Sequence, residues 1–387
     1  MKLPRVVFLV NGQPGSAMDV RARSFEQRLA SQFTIRRAYR SANKIASILE
    51  FLWVLSRTRP SVCYVFDMAF SGAIAAGLYG CLSRCRVIID TGDAIYELSK
   101  STGNRGKAAL WLTELLERFS LAISDLVVVR SHPHQELLAR RSIRALAIPD
   151  GVDLQQFSPR REDELRRRHQ LDGFTVIGVM GSLVWSPRWN MCYGSELIDV
   201  IDRLRDRPVK GLIIGDGSAL PELKKRCAER KLEDRILFLG RVPYDELPAY
   251  INLMDICIST QTNDPAGQVR TTGKLPLYLA CGRFVLATAV GEAARVLPKE
   301  MLVPYHGTKD PEYPARLAAR VSELIDEPEL LRQPVTSTAI AKANFDYDLL
   351  AERMATAIRQ VLPGRNTSRQ SDPLAAPQAE PRPPGRT

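Results

Sequence analysis

The chain has 387 residues, 45% of them hydrophobic, enough for two packed domains of ordinary size. Net charge is +11, and residues 1–150 carry 21 Lys and Arg against 12 Asp and Glu, so +9 of the excess lies in the first part. A basic first half calls for an acidic partner; with no helix-turn-helix, zinc or aromatic RNA-binding signature, the pattern argues against nucleic acid and for a phosphorylated acceptor or an anionic membrane face.

Val6 to Val10 is a continuous apolar run, the signature of a strand buried on both faces, and too short for the core of a signal peptide. The loop Asn11 to Ser16 follows, then helical periodicity from Val20 to Ala30, the first step of a doubly wound sheet. Val62 to Phe66 predicts a strand ending in Asp67, residues 69–82 a small-residue helix, and Val87 to Ile89 a strand ending in Asp90-Thr91-Gly92-Asp93. Two successive strands thus end in carboxylates, where a parallel sheet presents its chemistry; either Asp90 or Asp93 would equally serve as a helix cap. The longest apolar stretch, Met68 to Leu82, falls short of the about 20 residues a membrane span needs. A long helix over Lys107 to Ser124 leads into a strand over Leu126 to Val129 and then Arg130-Ser131.

Charge density in Pro159 to Gly173 marks a domain boundary, after which Thr175 to Met180 and Gly181-Ser182-Leu183 restart the strand, loop and helix order. Strands over Lys210 to Ile214 and Ile236 to Leu239 flank a turn at Gly215-Asp216-Gly217 and a helix over Leu220 to Lys231. A strand over Ile256 to Ser259 precedes the stretch QVRTTGKLPLYLACGRFVLAT, residues 268–288. Here a Thr and Gly loop enters an apolar helix at Lys274, and a strand follows from Phe284. A helix start built from small residues with a lysine beside it suits a phosphate. His132 and His134 read as loop or capping residues. The seven cysteines show no C-x-x-C pair and read as buried hydrophobes of a reducing cytoplasm. Residues 363–387, rich in Pro, Gly and Arg, read as disordered.

KLPLYLACGRFVLAT, together with IPDGVDLQQFSP at residues 148–159 and FLGRVPYDELPAYINLMDICIST at residues 238–260, resembles the retaining nucleotide-sugar glycosyltransferases of the GT-B fold. The resemblance implies an α/β protein of two Rossmann-like doubly wound domains facing a central cleft. Its divisions are an acceptor domain over 1–159, a donor domain over 160–345, a helix over 346–362 crossing back to the first domain, and the tail. It implies Asp93 and Lys274 as catalytic residues, and Gly15, Ser16, Arg188, Thr272, Gly273, Lys274 and Leu275 against the donor phosphates. Arg241, Val242 and Leu277 would lie at the base and ribose. The family's two glutamates, eight positions apart, are replaced by Val269 and Leu277.

The implied activity is metal-independent transfer of a sugar from a nucleotide-sugar donor to a glycan or lipid-linked acceptor. The donor is a co-substrate, and no resident cofactor is implied. The setting is cytoplasmic, with peripheral contact to an anionic membrane. Two other readings stay open: a catalytically silent GT-B-like scaffolding subunit, and an enzyme that remodels a nucleotide sugar without transferring it.

Overall fold

The computed structural model describes residues 3–68, 70–103, 105–331 and 334–362. Six parallel strands form the first sheet: β1 (Arg5–Val10), β2 (Thr34–Tyr39), β3 (Val62–Phe66), β4 (Arg86–Thr91), β5 (Leu126–Val129) and β6 (Ala145–Ala147), in the order β2-β1-β3-β4-β5-β6. Six more form the second: β7 (Thr175–Met180), β8 (Val209–Ile214), β9 (Ile236–Gly240), β10 (Ile256–Ser259), β11 (Phe284–Thr288) and β12 (Leu302–Val303), in the order β12-β11-β10-β7-β8-β9. Every strand pairing is parallel. Strand order therefore reverses at β1/β3 in the first sheet and at β7/β10 in the second, and in such sheets ligands collect outside the carboxyl ends of the strands at these points.

Central strands read as unbroken apolar runs because helices cover both of their faces. Val6 to Val10, Val62 to Phe66 and Leu126 to Val129 are buried throughout. The sequence reading gave no sign of β2, an edge strand whose Arg36 and Arg37 break the apolar pattern, or of the short strands β6 and β12. On one face of the first sheet lie α2 (Lys44–Thr58), α3 (Phe70–Leu82) and α5 (Lys107–Ala122), which follow α1 (Ala17–Leu29) in the chain with α4 (Ile95–Thr102) among them and α6 (His132–Ala139) after them. Polar caps fix three of these helix starts: Ser16 accepts from the Asp19 N–H, Asn43 from Ile45 and Ala46, and Ser131 from His134.

On the other face, α1 packs against the helix Tyr347–Val361, whose Leu350, Met354 and Ile358 join the core under β1, β3 and β5. The rings of Phe25 and Tyr347 meet edge to face at 5.5 Å. The chain thus crosses between domains twice, side by side. The Val152 N–H donates to Phe345 O at 2.8 Å and the Tyr347 N–H donates to Val152 O at 3.2 Å. Gly151 is needed there, since a Cβ would lie 2.5 Å from the Tyr347 ring. The tail expected to be disordered lies outside the described residues.

Candidate functional site

In the second domain, β7 and β8 end in Gly181 (φ +145) and Gly215 (φ +141), backbone conformations that side chains rarely adopt. The two turns touch: a Cβ on Gly215 would stand 1.9 Å from the Gly181 carbonyl oxygen. Gly215→Ala is therefore expected to cost at least about 1–3 kcal/mol from backbone strain alone, read as a lower urea midpoint with an unchanged slope.

The space above Gly181 is taken by Lys274, the first residue of the helix Lys274–Ala280; its Nζ would lie 3.4 Å from a Cβ on Gly181. Burial, aided by the nearby Arg270, pushes the Lys274 ammonium down to about 8, while Glu196 acts in the opposite direction. Glu196 is itself buried, and that burial raises its carboxyl above the usual range. This part of the second domain therefore concentrates a lysine whose ammonium is lowered to about 8, two glycine turns packed against each other and the loop Arg270 to Gly273.

Opposite it, the first domain gathers charged groups at the ends of β3 to β6. Arg21, from α1, is 1% exposed. It donates from Nε to Asp90 at 2.9 Å and from its two terminal nitrogens to Pro149 O at 2.7 Å and Ile148 O at 2.9 Å. The Tyr64 hydroxyl donates to the same Asp90 oxygen at 2.9 Å. Arg130 lies across Gly92, where a Cβ would meet its guanidinium at 2.7 Å, and pairs with Asp67 at 3.4 Å. Asp90 and Asp150 also stand within 3.4 Å and 3.6 Å of it. Asp67 sits at φ +60, a costly conformation for a residue with a Cβ, and burial raises its carboxyl.

The two sides meet through several direct bonds. The Ser131 hydroxyl donates to Val269 O at 2.5 Å, and the Thr271 hydroxyl to Arg130 O at 3.1 Å. Asp93 pairs with Arg270 at 3.1 Å, and the His132 ring pairs with Glu292 at 2.8 Å. The Ser101 hydroxyl donates to Asp264 at 2.6 Å, and the Trp189 indole donates to Ser101 O at 2.9 Å. The loop that carries Lys274 is thereby held against the strand ends of the first domain.

Of the residues singled out from sequence, Lys274, Thr272, Gly273 and Asp93 lie along this junction, and Gly273 faces Asp150. Gly15 takes φ +82 in the loop after β1, and Ser16 caps α1. Arg188 reaches the other domain: it donates to Lys100 O at 3.1 Å, stacks 5.1 Å over the Trp189 ring and fills the space beside Gly103. Leu275 and Leu277 are buried in the core of the second domain, and Leu277 has no polar atom to offer a ribose. Arg241 is exposed, and Val242 packs partly against that core. Neither Asp90 nor Asp93 caps α4, whose start at Ala94 has no side-chain cap. Burial pushes His134 down to about 4, which leaves it neutral near pH 7. Arg21, Arg130, Glu196 and Arg270 were not visible in the sequence, since their partners lie far along the chain.

The family model for group 1 glycosyl transferases matches residues 175–327, the strands and loops that carry Lys274 and the glycine turns. The fold is GT-B, and residues 175–327 are similar to group 1 glycosyl transferases. Among solved structures of this fold, sucrose-phosphate synthase from Thermosynechococcus elongatus superposes with a TM-score of 0.76 at 16% identity, covering 93% of this chain and 99% of that one. Anabaena HepE in complex with UDP and glucose superposes at 0.72 with 15% identity, covering 92% and 100%.

By sequence, the chain resembles 2-deoxystreptamine glucosyltransferase of Streptomyces kanamyceticus, 26% identical over 191 residues, which is 47% of this chain and 45% of that protein. A GDP-mannose-dependent phosphatidylinositol monomannoside mannosyltransferase of Mycobacterium tuberculosis is 29% identical over 222 residues, 55% of each chain. The chain spans about half the length of the curated relatives it matches.

Proposed function

We propose that this protein transfers a sugar from a nucleotide-sugar donor, held by the second domain, to a glycan or lipid-linked acceptor held by the first. The observation that carries the reading is Lys274 set over Gly181 at the strand-order reversal of the second sheet, at the end of a loop whose Arg270 and Thr271 bond to the first domain. The departing diphosphate develops negative charge as the bond to the sugar breaks. An ammonium and backbone N–H groups already in place stabilise that charge without reorganising. In this reading they do so without a resident cofactor or metal, and the sugar keeps its configuration.

Asp93 lies on the acceptor side, and its pairing with Arg270 ties it to the donor loop. The absent glutamates at 269 and 277 cost the donor a charge-assisted contact of about 1.5–3 kcal/mol, which weakens binding without removing the diphosphate site. Work at the cytoplasmic face of a membrane, with peripheral attachment, fits an acceptor carried on lipid; among the described residues no helix is long and apolar enough to cross one.

Thermal unfolding with UDP-, GDP- and TDP-linked sugars tests this reading. One donor class at about 100 times its Kd is expected to add about 2.7 kcal/mol of stability. No stabilisation by any of them would favour the scaffolding alternative instead.

A further inference from the structure

Among the described residues, thirteen large hydrophobic side chains are exposed, and nine of them sit on α2, α3 and α5. These helices form one layer over the first sheet, with Phe51, Leu55, Ala73 and Ala76 turned inward to the core. Their outer sides are apolar as well. Ile45, Leu49 and Trp53 recur every four residues on α2, and Trp111, Leu115 and Phe119 do so on α5, with exposures from 38% to 73%. A surface helix ordinarily turns a polar side outward; one that is apolar on both sides is covered on both.

Charge says what covers it. Lys44 opens α2 and Lys107 opens α5; Arg59 closes α2, and Arg84 follows α3. The Arg57 guanidinium lies 5.2 Å over the Trp53 ring. The acids on α2 and α5 are Glu50, Glu114, which pairs with Arg118 at 2.7 Å, and Glu117, which accepts from the Tyr96 N–H. A second copy of the chain docking through this same face would set cations against cations. Tryptophans and leucines framed by Lys and Arg match the boundary of an anionic bilayer, where ring and guanidinium sit at headgroup level and the aliphatic side chains reach below.

We propose that the outer face of α2, α3 and α5 is the surface by which this protein docks on an anionic lipid bilayer, with Trp53 and Trp111 entering the interface. Helices in a parallel sheet start at the carboxyl ends of the strands, the same edge as the domain junction. Lys44, Ile45 and Lys107 therefore stand at its rim, where a lipid-linked acceptor reaches the donor loop without leaving the membrane. The acceptor part rests on the proposed transferase reading; the docking itself does not.

Sedimentation of the full chain with vesicles, without any nucleotide sugar, tests the docking separately from the chemistry. The chain is expected to bind phosphatidylcholine vesicles containing about 30% phosphatidylglycerol at least about tenfold better than phosphatidylcholine alone, and less well as salt rises. Binding should blue-shift the tryptophan emission. The double variant Trp53→Ser/Trp111→Ser should lose about tenfold or more in binding while keeping the wild-type melting midpoint, since both rings are exposed. The inference fails if the wild type stays in the supernatant, or if the double variant sediments like the wild type. It also fails if the wild type is a dimer that the double variant converts to monomer, because the face then belongs to a second copy.

Discussion

Lys274→Ala is expected to weaken binding of the donor by about one to two decades and to lower sugar transfer at least as much, because it removes the cation set over Gly181 where the diphosphate is proposed to lie. A hydrogen bond to a charged group contributes about 1.5–3 kcal/mol, and the shielded position of Lys274 places it toward the upper end. The pH dependence gives a second readout. Burial, with Arg270 nearby, lowers the ammonium to about 8, so the charged form is present below that pH and is lost as pH rises through it. Titration with a UDP-sugar, whose diphosphate keeps its charge across this range, should show affinity falling above about pH 8 by up to about tenfold per unit. In Lys274→Ala this decline should vanish. Binding that falls equally in both proteins would assign the titrating group elsewhere, and unchanged affinity in the variant would remove Lys274 from the donor site.

Arg21→Ala should be strongly destabilising, by about 3–5 kcal/mol, because it removes the nearest ion-pair partner of the buried Asp90 and leaves only the Tyr64 hydroxyl and the longer contact to Arg130. Burial opposes the charge on Arg21, but Asp90 and then Asp150 more than offset it, so the guanidinium stays protonated. Its bonds to Ile148 O and Pro149 O also hold the segment that crosses into the second domain. The melting midpoint of the first domain should fall by roughly 10 °C. The double change Arg21→Met/Asp90→Asn should recover part of the loss, since no bare charge then remains buried. A melting curve for Arg21→Ala within a degree of wild type would contradict this account.

Much of the architecture was legible in the sequence for a simple reason. A strand covered on both faces must be apolar at every position, so Val6 to Val10, Val62 to Phe66 and Thr175 to Met180 announce a parallel sheet before any pairing is known. Glycines such as Gly181 and Gly215 stand where only a residue without a Cβ fits, which marks the strand ends that face the junction. The helix Lys274–Ala280 and its lysine were visible because an apolar run between glycines has little freedom to be anything else.

What remained hidden depends on partners distant in the chain. Nothing around Arg21 reveals that it points inward to Asp90, and a sequence scan reads it as one more surface cation in a basic half. Leu277 sits at the position that resemblance assigned to a ribose contact, yet the packing of its helix turns it into the second core. Arg188, read as a phosphate ligand, spends its guanidinium on Lys100 O and Trp189. Local sequence determined the central strands of the two sheets, the glycine turns and the lysine at the loop, because backbone sterics and solvent exclusion act residue by residue. Only the closure of the two domains decided which charges meet, since ion pairs and shared burial exist between positions that the chain separates and the fold brings together.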